Sequence, residues 1–164
     1  MTKKVLILAA SLAAFSGCSL AADPAPNGIV LPEGFRQWQV LSVHHRSDNT
    51  TLRVVLGNEA AQQAVREGKT NPWPDGVVLG KMVWKGVQHD RWATATEPGG
   101  FVHAEFMTKD AAKYAATGGW GYARWVGKEL KPYGKDENFV QECLGCHTPL
   151  KDRDYVFTHP ATMP

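Results

Sequence analysis

The chain has 164 residues, of which 43% are hydrophobic and 21% charged. That is enough apolar material for one globular domain with a true core. The formal net charge is +2 and no basic stripe runs through the chain, which excludes nucleic acid as an expected partner.

Residues 1–22 read as a targeting segment rather than as structure. Lys3 and Lys4 form a short basic region, and Val5 to Phe15 is an apolar run too short for a stable bilayer anchor. Cleavage near Ala21 or Ala22 would release a soluble periplasmic product. The alternative is Phe15-Ser16-Gly17-Cys18, which resembles a bacterial lipobox and would leave Cys18 as a lipidated first residue. Phe15 stands where Leu is usual, so the soluble product is favoured. Export removes both lysines, taking Lys plus Arg from 18 to 16 against 16 Asp plus Glu. Of the three cysteines, Cys143 and Cys146 would then remain.

Residues 23–30, with Pro24, Pro26 and Gly28, read as a linker with little helix or strand preference. The domain proper runs over 31–164. Trp38 to His44 alternates and predicts a first strand. Ser47-Asp48-Asn49 is a turn, and the β-branched run Thr51 to Gly57 predicts a second strand. Asn58 is placed to cap a helix over 59–67, closed by Gly68. Val77 to Trp84 predicts a third, central strand, and Phe101 to Thr108 a fourth. Lys109 to Thr117 predicts a helix ended by Gly118-Gly119. Trp120 to Val126 predicts a fifth strand, and Lys131-Pro132-Tyr133-Gly134 a break. Asp136 to His147 predicts a helix, and Tyr155-Val156-Phe157 a last strand or a cover for a bound group. The sum is an α+β fold, mainly antiparallel sheet with short helices.

The strongest motif lies near the C-terminus. Cys143-Leu144-Gly145-Cys146-His147 is a Cys-x-x-Cys-His sequence, the attachment signature of a c-type haem. Thiols one helical turn apart can add to the two vinyl groups of one ring, and the adjacent imidazole lies under the iron. A thioredoxin-like pair, a zinc site completed by His147 or His159, and a plain disulfide are the competing readings. The first belongs at the start of a βαβ unit, and exported chains seldom use the second. With Cys143 and Cys146 on one turn beside His147, haem is the expected cofactor and His147 the expected iron ligand.

Three predicted strands carry a charge among apolar residues. Arg53 lies between Leu52 and Val54; Lys81 shares a side with Val77, Leu79 and Val83; Glu105 shares one with Phe101, His103 and Met107. Each alone is ordinary on a sheet with one solvated face. Together they suggest a pocket over the open side of the iron, with Arg53 holding Glu105, the pair moving protons, and Lys81 close enough to react with the ring.

These residues resemble the cytochrome P-460 family. The likeness rests on Pro32-Glu33-Gly34-Phe35-Arg36-x-Trp38, Asp75-Gly76-Val77-Val78-Leu79-Gly80-Lys81, the Cys143–His147 motif and Asp154-Tyr155-Val156-Phe157-Thr158, and runs from about Leu31 to about Pro160. It implies a mostly antiparallel fold, a homodimer, and a haem c with His147 as its one protein ligand. It further implies a covalent bond from Lys81 to the haem, and Arg53 and Glu105 in the distal pocket. The implied reaction oxidises hydroxylamine to nitrogen oxides, with electrons passed to an acceptor cytochrome. Gly80 and the short tail after Phe157 depart from the family pattern. A sister group, the β-type cytochromes c′, lacks the lysine and binds nitric oxide in an apolar pocket. A plain electron carrier would need a sixth ligand, for which Met82, Met107, His103 and His159 are candidates. His44, His45 and His89 are given no role.

Overall fold

The computed structural model describes residues 22–161. Residues 1–21 of the targeting segment, Cys18 among them, lie outside the described residues. The elements are β1 (Gln39–Arg46), β2 (Thr51–Gly57), α1 (Glu59–Arg66), β3 (Val78–Gln88), β4 (Thr96–Lys109), β5 (Trp120–Val126), β6 (Lys131–Pro132) and α2 (Val140–His147). The strands form one six-stranded antiparallel meander in chain order. The fold is thus α+β and mainly β, as the alternating strands and Gly/Pro breaks predict.

Period-two alternation gives the sheet two unlike faces. One face presents Val54 and Leu56, Met82 and Trp84, Ala104 and Phe106, and Ala123 and Trp125. The chain before β1 covers it with Ala25, Ile29, Leu31, Phe35 and Trp38. Phe106 is the centre: Phe35, Trp38 and Trp125 meet it edge to face at 5.3, 6.2 and 5.7 Å. Each such pair adds about 0.5–1.5 kcal/mol beyond area burial. A Cβ on Gly80 would stand 2.7 Å from the Phe106 ring, so the ring's seat requires the glycine. Residues 23–30 have neither helix nor strand but lie against the sheet: Trp125 Nε1–H donates to the Asp23 carbonyl at 2.9 Å, and Asn27 Nδ2 to that of Tyr122 at 2.9 Å.

A second apolar cluster joins α1 and the C-terminal segment to the sheet through Leu41, Ala61, Ala64, Trp73, Val77, Leu79, Trp120, Tyr122 and Val156. Asn58 caps α1 and also holds the entry to β3. Its side-chain oxygen accepts from the Ala61 and Val78 amides, both at 3.0 Å, and its amide donates to Gly76 at 2.9 Å.

Three local expectations are corrected. No α-helix spans 109–117: the chain turns, with a 3-10 helix only at Ala115–Thr117. Lys109 is still strand, its amide bonded to Val77 at 2.8 Å, and left-handed Gly118 and Gly119 follow Thr117. Too little chain remains to offset the cost of helix nucleation. Lys131-Pro132 forms a short edge strand rather than a break. Tyr155-Val156-Phe157 forms no strand, because Asp154 and Tyr155 adopt left-handed φ of 50° and 63°. The helix expected over 136–147 begins as a 3-10 turn, Glu137–Phe139, and becomes α2.

Candidate haem site

The second face of the sheet carries the charges. The register sets Lys81 opposite Glu105 and Glu105 opposite Arg124, one rung across β3, β4 and β5. One rung along, Arg53 pairs with Val83 and Val83 with His103. Directly opposed residues point the same way, so the face presents a row of charge rather than scattered ions. Across from it stands α2, and a cavity of about 630 Å³ lies between them. Arg53, Lys81, Glu105, Cys143, Cys146 and His147 all line it.

Glu105 is the centre of the charged row. Its Oε2 is ion-paired with Lys81, and its Oε1 accepts from Arg124 Nε at 2.7 Å and Nη2 at 2.5 Å. Burial alone would push this carboxyl up, but Lys81 and Arg124 outweigh it and bring the pKa down to about 2. His103 Nε2 stands 3.5 Å from Oε1. The expectation that Arg53 holds Glu105 is corrected here. Arg53 Nε instead donates to Thr51 Oγ1 at 3.2 Å, one rung away, and the arginine on the carboxylate is Arg124. Arg124 also lies over the Tyr133 ring, at 4.6 Å from its centroid.

His147 is held by the segment after α2. Its Nδ1–H donates to the Tyr155 carbonyl at 2.6 Å, which fixes the tautomer and leaves the Nε2 lone pair free. The ring lies against Tyr122 and Phe157, at 5.3 and 5.0 Å between centroids. Burial lowers its pKa, against the hydrogen bond to Tyr155, so it is neutral near pH 7. Burial likewise pushes the Cys143 thiol up. Both Cys143 and Cys146 are free thiols.

A haem fits these residues. Two thiols and one imidazole with a free nitrogen come from a single helical turn, and the cavity falls within the ~300–1,000 Å³ of ligand pockets. The Tyr122 hydroxyl, buried against His147, has no hydrogen-bond partner within the protein, as expected where a further group belongs. Among the described residues no group of three His, Cys, Asp or Glu side chains is placed to hold a bare metal ion.

A family model, Cytochrome P460, matches residues 32–158. The chain belongs to the cytochrome P460 family. It is therefore a haem-binding cytochrome. No curated protein matches the chain significantly.

The candidate sixth ligands separate. Met107 and His103 line the cavity, Met82 packs in the aromatic core of the opposite face, and His159 is exposed beside Arg153. Sequence reasoning missed Arg124 and Tyr122. Period two within β5 puts both on one side with Trp120. Only the register to β4 shows that this side faces Glu105.

Proposed function

We propose that this cytochrome is an exported mono-haem c oxidoreductase that oxidises hydroxylamine to nitrogen oxides and passes the electrons to an acceptor cytochrome. The observation that supports this most is the convergence of Lys81, Glu105 and Arg124 on the cavity that Cys143, Cys146 and His147 also face. In this reading Cys143 and Cys146 would hold the ring, His147 Nε2 would be the iron's protein ligand, and Lys81 would be bonded to the ring, one amine N–H and one ring C–H being lost as two protons with two electrons passed to the electron acceptor. The haem supplies the redox centre that takes electrons from the substrate.

The protein's own part is to handle the protons that leave with those electrons. Glu105 is ionised at neutral pH and has the acceptor oxygens to receive one. With a cationic Lys81 beside it, its pKa of about 2 makes it a weak base. Were Lys81 bonded to the ring, its nitrogen would no longer carry that ammonium charge, and Glu105 would lose one of the two cations that hold its pKa down. Arg124 keeps the carboxylate aimed by binding Oε1 through two nitrogens. His103, beside the same oxygen, offers the next station for the proton. Export to the periplasm and assembly as a homodimer complete the proposal.

Two measurements test it on the purified holoprotein. Steady-state assay with hydroxylamine and an artificial electron acceptor gives turnover; binding of nitric oxide without turnover contradicts the enzyme reading. Proteolysis followed by mass mapping finds the Lys81 segment on the haem peptide; a haem peptide carrying only the Cys143–Cys146 segment contradicts the ring bond.

A further inference from the structure

We propose that the buried Asp154–Lys109 ion pair aims the His147 imidazole by fixing the Tyr155 carbonyl. The inference rests on the reading of His147 as the iron's ligand. Neither Asp154 nor Lys109 lines the cavity.

The His147 ring is steered by one acceptor, the Tyr155 carbonyl at 2.6 Å. That carbonyl sits on an unusual backbone. Asp154 and Tyr155 are consecutive left-handed residues, with φ of 50° and 63°. Asp tolerates that region; Tyr does not favour it, and the conformation persists only where its surroundings impose it. The imposing contacts converge on Asp154. Lys109 Nζ, at the end of β4, meets both carboxylate oxygens at 2.7 and 2.9 Å. The Trp73 amide donates to Oδ2 at 2.9 Å, and Trp120 Nε1–H donates to the Asp154 carbonyl at 2.8 Å. The next amide, that of Tyr155, donates to Leu150 at 2.8 Å. The Tyr155 ring fits only because residue 118 is glycine, where a Cβ would stand 2.2 Å from it. Three separate parts of the chain, the loop before β3, the end of β4 and the start of β5, thus grip one residue beside the carbonyl.

Stability alone is a weak reason for such a pair, since buried ion pairs are often replaceable by apolar residues at no net cost. Its charge-assisted, directional bonds are suited to holding geometry. The geometry matters because a hydrogen bond from Nδ1 makes an imidazole a stronger donor at Nε2, one of the protein's levers on a haem iron. Asp154 and Lys109 are positioning residues in this sense.

The test uses holoprotein variants Asp154→Asn and Lys109→Met. Asn keeps the size and the left-handed tolerance but loses the charge that Lys109 binds. Both variants are expected to shift the iron–imidazole stretching band of the reduced protein to lower frequency and to raise the midpoint potential. Val77→Ala, which opens the apolar cluster packed around the turn but removes none of the hydrogen bonds to Asp154 or Tyr155, is expected to lower the melting temperature and leave both readouts in place. If Asp154→Asn and Lys109→Met lower the melting temperature as Val77→Ala does, and neither moves the band or the potential, the inference is overturned. Should the single variants fail to fold, Lys109→Met combined with Asp154→Asn replaces the pair by neutral groups, leaves no buried charge unpartnered and keeps the left-handed tolerance at 154. That protein is expected to fold with the band shifted, and an unshifted band overturns the inference. His147→Gly separates the two levels. If it leaves the wild-type band intact, the ligand reading and this inference fall together; if it abolishes the band while Asp154→Asn leaves it unmoved, only the inference falls.

Discussion

The two faces of this sheet are made by the same strands and have opposite chemistry. In β4, Ala104 and Phe106 are buried in the aromatic core, while Glu105 between them faces the cavity with Lys81 and Arg124. The dry face is closed by the chain before β1, the charged face by the chain after β5. Each charged residue of the row has a buried residue on either side along its strand, so the row is held rigid without a scaffold of its own. The same arrangement predicts that substitutions on the two faces separate. The dry face governs stability, and the charged row on the other face governs chemistry.

The largest expected effect breaks the charged side outright. Cys143→Ala with Cys146→Ala removes the covalent haem, read by haem staining after denaturing electrophoresis; haem that stays attached would overturn the assignment of the thiols. On the dry face, Phe35→Ala empties the seat against Phe106 and costs roughly 3–5 kcal/mol in chemical denaturation. Turnover per haem is expected to stay at the wild-type level in the molecules that remain folded. A large loss of turnover there would mean that the faces are not separable.

A finer test compares two arginines on the charged face. A proton acceptor must be ionised, so activity falls as pH drops through the pKa of Glu105. Arg124 lowers that pKa, so Arg124→Gln raises it and moves the acid limb of the pH–rate profile to higher pH. Arg53→Gln, which removes no bond to Glu105, moves the limb less. The reverse order would restore Arg53 as the partner. The smallest effect lies away from both faces. Asn58→Ala loses the α1 cap and costs about 1 kcal/mol, measured by thermal unfolding, with no change in the pH profile.

Much of this was legible in the chain. Alternation puts Lys81 beside Leu79 and Val83 and Glu105 beside His103 and Met107, which is how both come to face the cavity. The Cys143–His147 motif names its own chemistry. Arg124 was not legible as the partner of Glu105, because pairing across strands depends on register, and register is set by turns and bulges far from either residue. The run after Lys109 has the alanines of a helix, but Lys109 is committed to β4 and to Asp154. Tyr155-Val156-Phe157 has the composition of a strand, yet the backbone before it turns left-handed to bring a carbonyl to His147. In each case a long-range contact overrode a local preference.

The most direct test is steady-state hydroxylamine oxidation by wild-type protein and Glu105→Gln at equal haem content. Gln has nearly the same shape but cannot accept the proton, so turnover is expected to fall by roughly 10²–10⁴-fold while haem content and folding hold. Equal turnover in the two proteins would contradict the role given to the charged row.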